Sequence, residues 1–202
     1  MRMRRLSFWV GFALLVFLAP ATLYAETQEA ARTIENLHTT LLKTMKEGKE
    51  IDNKKRYEEL APVIRFSFDF PFVARVVLGR YWETLDSQQK QRFIEAFTKL
   101  SVATYASNFD AFSGEHFTVA SQRKWPGGEV EVKSHLVKAN GDSVSLDYVL
   151  HQTDKQWQII NVIANGVSDL ALKRADYTHF LKTKGFDALL AELNEKIAHY
   201  LH

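Results

Sequence analysis

Seven histidines, 24 acidic residues and no cysteine define the chemistry open to this 202-residue chain. Without a thiol there is no cysteine nucleophile, no disulfide and no thiolate metal site. The sequence also lacks a Gly-x-Ser-x-Gly elbow, a glycine-rich phosphate loop, a His-Glu-x-x-His pair and any His/carboxylate run at metal spacing. Its closest histidines, His199 and His202, fall in a C-terminal tail expected to fray. No cofactor and no metal are implied. One cation stands out instead. Leu170, Arg174, Tyr177 and Leu181 recur at helical spacing, so a permanent charge lies on an otherwise apolar stripe. Such a charge must be paired, snorkel to water or hold an anion, and the planar guanidinium fork suits a phosphate.

Apolar binding is the other available chemistry. Fourteen Phe, seven Tyr and four Trp make up 12% of the chain, enough either for a tight aromatic core or for a space that holds an apolar ligand. Nucleic acid is a poor partner. Three arginines, Arg2, Arg4 and Arg5, lie in the first 25 residues, and the remainder carries 23 basic against 24 acidic side chains, with no global field to attract a polyanion.

The elements that must position these residues follow from periodicity. Ile34, Leu37, Leu41 and Met45 mark a helix ending at Gly48, and Asp52 to Ile64 a second that Pro62 weakens. Asp69 caps a short helix over 70–78 that Gly79 stops, and Asp86 with Gln89 forms a capping box for a long helix to about Phe112. From His116 the period becomes two. Phe117, Val119 and Ser121 alternate, then Val130 to Leu136, Val144 to Leu150, and Trp157 to Ile163, with turns at Pro126-Gly127-Gly128, Asn140-Gly141-Asp142 and Thr153-Asp154-Lys155. Short loops between strands require antiparallel neighbours. Helices over 167–184 and 186–201 close the chain, giving one α+β domain whose helices pack on the single apolar face of a twisted four-stranded antiparallel sheet. Asp147 beside Tyr148 offers acid–base chemistry, but alternation puts the two on opposite faces.

Residues 1–25 read as an address. A basic start, an apolar run from Leu6 to Leu18 and small residues at Ala19, Ala21 and Ala25 describe a cleavable signal peptide rather than a membrane span, which needs about twenty apolar residues. Residues 26–202 are then a single exported, periplasmic domain.

With these elements assigned, Phe68-Asp69-Phe70, Val73 to Trp82, and Gln89 with Arg92 to Phe97 are similar to the signature of the MlaC-type family of periplasmic phospholipid-binding proteins, the toluene-tolerance auxiliary components of ABC transporters. Trp157 to Val162 followed by Gly166-Val167-Ser168 resembles the family's last strand and the start of its C-terminal helix. Arg174 falls where the family usually has arginine, and Tyr177 where it usually has phenylalanine. Asn161, Asp169 and Lys173 depart from the usual Asp, Leu and Tyr, and the run from Gly166 to Arg174 looks closer to the hopanoid-biosynthesis-associated branch, HpnM.

The resemblance implies a carrier with lipid chains between sheet and helices, served by an inner-membrane ABC transporter with an MCE-type subunit and by an outer-membrane acceptor. Its cargo is a phospholipid or a hopanoid-like lipid. The expected lining is Val73 and Val77, Phe97, Leu100 and Tyr105, Val119, Leu136, then Leu146, Tyr148 and Leu150, Trp157 and Ile159, with Arg174 and Tyr177 from the C-terminal region. Val73, Val77 and Trp82 form a ridge that either packs the core or gates the mouth. The rival is an NTF2-like small-molecule-binding module or enzyme using the same cone-shaped pocket.

Overall fold

The computed structural model describes residues 19–154 and 156–201, with side chains from residue 26 onward. In chain order they form α1 (Ala19–Glu47), α2 (Asn53–Ser67), α3 (Phe70–Leu78), a 3-10 stretch (Gly79–Thr84), α4 (Ser87–Asn108), β1 (His116–Lys124), β2 (Val130–Val137), β3 (Ser143–Gln152), β4 (Trp157–Ala164), β5 (Val167–Ser168), α5 (Asp169–Lys184) and α6 (Phe186–Leu201). Most of the signal-peptide segment lies outside the described residues, and its last part continues as the start of α1.

Side-chain caps fix where the helices begin. Asp52 accepts from the Lys55 amide, Asp69 from Phe72 with Pro71 in the first turn, and Ser168 from Ala171. Asp86 and Gln89 make both bonds of the capping box. Each satisfies a backbone donor that the helix leaves unpaired. Two boundaries differ from expectation. α2 runs through Pro62 to Ser67, because an exposed proline costs one carbonyl partner that water replaces. α4 stops at Asn108, four residues short of Phe112.

The sheet has five antiparallel strands in the order β1-β2-β3-β4-β5, not four. Asn165 (φ 48°) and Gly166 (φ 81°) turn the chain back as a two-residue hairpin, so Val167 and Ser168 pair with Ala164 and Ile163 before α5 starts. Register shifts in two places. Between Val119 and Ser121 the β1–β2 pairing advances two residues on one strand and one on the other, so Ala120 is a bulge and the alternation inverts after it. Ser121 therefore faces solvent, while Gln122 and Lys124 turn inward. A second bulge, opposite Val149/Leu150, makes Ile160 the extra residue on β4.

The second face of the sheet is not bare, which corrects the one-faced expectation. Glu131 and Val149 are register partners opposite in direction to the neighbouring pair Val132 and Tyr148, yet they are only 7% and 4% exposed. The α2–α3 junction wraps this face: the Gln158 amide donates to the Phe66 and Phe68 carbonyls, and His151 Nε2 meets Asp69 Oδ2 at 2.9 Å. Nearby Asn161 Oδ1 accepts from the Ser168 hydroxyl and the Leu170 amide, seating the start of α5. On the first face α1 packs its stripe of Ala30, Ile34, Leu37 and Leu41, all fully buried.

Candidate functional site

A continuous path of rings crosses the interior from α5 to β3. Tyr177 on α5 meets Phe93 and Phe97 of α4 edge-on at 6.0 and 6.2 Å between centroids. Phe97 then meets Phe70, Phe70 stacks on Phe68, and Phe68 meets Tyr105 at 5.9 Å. Tyr105 stacks on Phe109, Phe109 reaches Phe117 of β1, and Phe117 lies flat on His38 of α1 at 3.9 Å. His38 closes the series against Tyr148. Offset and edge-on contacts of this kind add to simple area burial.

The sequence places these rings by three devices. α4 carries Phe93, Phe97 and Tyr105 at helical spacing on its buried side. Asp69, by capping α3, leaves Phe68 extended beside Ile159 of β4 while Phe70 turns into the core. The bulge at Ala120 keeps Phe117 and Val119 inward without committing the rest of β1.

Three tyrosine hydroxyls and one imidazole are the polar groups of this path. Tyr148 and His38 Nε2 share a 3.1 Å hydrogen bond. Burial holds His38 neutral, lowering its pKa from 6.5 to about 4, because desolvation penalises the charged ring. Burial likewise raises the phenol pKa values of Tyr105, Tyr148 and Tyr177. None is poised to exchange a proton near neutrality. Asp147 accepts from the Ser145 hydroxyl on the face away from Tyr148, so the two do not form an acid–base pair.

Of the residues expected to line a binding space, Phe97, Tyr105, Tyr148 and Tyr177 lie on the ring path. Val73, Val77, Leu100, Leu150, Trp157 and Ile159 belong to the same buried cluster, with Val119 and Leu146 packed on it half-buried. Leu136 is half-buried outside that cluster, at the end of β2 next to Phe117 and Val144. Trp82, with Lys90 over its ring, is half-buried at the core's edge. Arg174 is exposed, and its guanidinium lies against Gly79 at the seam between α5 and the end of α3.

That seam is a cleft of about 370 Å³ lined by Gly79, Arg80, Tyr81, Arg174, Thr178 and Lys182, among others. A second cleft of about 370 Å³ opens at the β1–β2 turn, where Lys124 is already paired with Glu26 and Glu129 adds a negative charge. Sequence reasoning missed His38, although it extends the α1 stripe at Ile34, His38, Leu41 and Met45. Lys182, two i, i+4 steps from Arg174 on α5, was legible from helical spacing but missed, whereas only the fold brings Arg80 beside Arg174.

The three departures from the family pattern sit together on the outside of the core. Asn161 accepts the cap bonds of α5, and Asp169 pairs with Lys173 one turn on. Among the described residues no helix is long and apolar enough to cross a membrane.

Comparison with known proteins agrees with this geometry. The chain is 22% identical over 197 residues to the intermembrane phospholipid transport system binding protein MlaC of Haemophilus influenzae, covering 91% of this chain and 89% of that protein. It is 23% identical over 179 residues to the toluene tolerance protein ttg2D of Pseudomonas putida, covering 86% and 83%. The fold matches the structure of the phospholipid-binding protein from Ralstonia solanacearum in complex with a phospholipid, with a TM-score of 0.76 at 20% identity over 86% of this chain and 99% of that one. The family profile described as MlaC protein covers residues 35–195, which takes in the ring path, all five strands and the seam beside Arg174, and the chain therefore belongs to the MlaC family.

Proposed function

We propose that this protein is a periplasmic carrier that holds a phospholipid by its acyl chains between helices and sheet and moves it between the inner and outer membranes. The ring path from Tyr177 to Tyr148 is the observation that carries this reading. It is a continuous apolar layer built from rotatable side chains, and each methylene it shields is worth about 0.8 kcal/mol. With neighbouring centroids 3.9 to 6.3 Å apart the rings fill the layer, so chains enter by parting them rather than by filling a ready-made hole. Val73, Val77, Leu100, Val119, Leu136, Leu146, Leu150, Trp157 and Ile159 wall that layer.

The matched relatives are named for phospholipid transport and binding, which supports a phospholipid cargo and a role as a binding protein rather than an enzyme. In the run that leans toward the hopanoid-associated branch, Ser168 caps α5 and Asp169 pairs with Lys173, and a hopanoid-like lipid is the alternative cargo. The partners on this reading are an inner-membrane ABC transporter with an MCE-type subunit and an outer-membrane acceptor. Cleavage of a signal peptide after Ala25 would leave residues 26–202 as one domain, with Glu26, the partner of Lys124, at the new N-terminus.

Native mass spectrometry of protein purified from its own host tests the reading: the mature chain should carry a diacyl phospholipid. Leu146→Trp or Leu150→Trp should lower that occupancy more than the melting temperature. A folded wild-type protein that emerges without lipid would favour the NTF2-like alternative.

A further inference from the structure

The cleft between α5 and the 3-10 stretch has a composition the apolar interior does not explain. Arg80, Arg174 and Lys182 line it with His179, and no carboxylate does. Among the described residues none of the three permanent cations has a carboxylate within ion-pair distance. On α5 Arg174, Thr178 and Lys182 are successive i, i+4 positions, so one flank of the helix presents two cations. Asp176, two residues from Arg174, projects from a different side. Isolated surface cations normally scatter to reduce their mutual repulsion, and here the fold gathers them.

The end of α3 brings backbone close to one of these cations. Gly79 ends α3 with φ 54° and ψ −128°, a conformation that essentially only glycine adopts. A β-carbon there would stand 3.6 Å from both Nε and an Nη of Arg174. The guanidinium rests beside this bare backbone and lines the cleft. At about 370 Å³ the cleft is headgroup-sized and too small for a whole diacyl lipid. One turn along α5 from Arg174, Tyr177 enters the core and begins the ring path.

We infer that this cleft is a phosphate site: Arg174 supplies the bidentate fork, Arg80 and Lys182 supply charge, and the group bound is the phosphate of the carried lipid, whose chains descend along Tyr177 and Phe97. This rests on the carrier reading above. The same chemistry would accept free phosphate or a soluble phosphate ester.

The experiment uses delipidated mature protein, phosphatidylglycerol and a diacylglycerol with the same chains, with inorganic phosphate as a separate titrant followed by the amide resonances of Gly79 and Thr178. Arg80→Gln/Lys182→Gln and Arg174→Gln should keep the wild-type melting temperature and bind phosphatidylglycerol more weakly by about fivefold per cation removed, with diacylglycerol binding the same as wild type. Arg174→Lys, which keeps charge but loses the fork, should fall between. Undiminished phosphatidylglycerol binding in the double variant and in Arg174→Gln would overturn the assignment, as would an equal loss for both lipids. If wild type binds neither lipid yet inorganic phosphate shifts Gly79 and Thr178, the carrier reading fails and the cleft stands as a site for free phosphate. No lipid binding and no shift would remove both.

Discussion

Two helices cover the same sheet in opposite ways. α1 lies against β1, β2 and β4 with Ala30, Ala31, Ile34, Leu37 and Leu41 fully buried. α5, against β4 and α3, buries only Tyr177 and Leu181 out of sixteen residues, and Leu172 on its outer side is 53% exposed. Each fully buried aliphatic side chain is worth about 1.5–3 kcal/mol, so α1 is bound far more strongly than α5. A carrier needs this asymmetry. One wall must hold the fold while the other yields, and the ring path ends under the yielding one.

The largest expected effect breaks the fixed wall. Leu37→Ala should cost about 3 kcal/mol in a denaturant titration, and Leu181→Ala at the α5 side about 2 kcal/mol. Equal costs would dissolve the contrast.

Acid should strain the fixed wall through His38. Its ring binds a proton at about pH 6.5 when unfolded but only at about 4 when folded. The unfolded state therefore takes up the proton first. Stability is intact above about pH 6.5, declines as the pH falls toward 4 by up to about 3 kcal/mol, and is flat below as far as this group is concerned. Comparing pH-dependent melting of wild type and His38→Gln isolates the slope, which the variant should lack.

A smaller change sharpens the comparison from the other side. Ser168→Ala removes the cap of α5 and should cost about 1 kcal/mol, while amide hydrogen exchange accelerates in α5 and not in α1. The smallest effect belongs to Leu172→Ser, which should change stability by no more than about 0.5 kcal/mol; a larger loss would mean that α5 is held by more than Tyr177 and Leu181.

Much of the fold was legible because it is written in local chemistry. Asp69 and Gly79 bracket α3, the Asp86–Gln89 box starts α4, and glycine-rich turns separate the strands. β5 was legible in principle, since Asn165-Gly166 is a hairpin signal, but a two-residue strand has no period to detect. The bulges at Ala120 and Ile160 were not legible, because a bulge exists only relative to a partner strand. The same distinction runs through the site. Phe97, Tyr105 and Tyr148 announce themselves by spacing, whereas the cleft needs Arg80 and Lys182, which periodicity within either element cannot connect.

The way the sheet ends bears on how this chain avoids its own kind. β5 offers only two residues at one edge, and at the other β1 is kinked by Ala120 and carries Arg123 and Lys124. Short, bulged or lysine-bearing edges are poor templates for a further strand. On the proposed carrier reading the rings part to admit cargo and expose sticky surface during each exchange, and blunted edges would keep those moments from seeding intermolecular sheets.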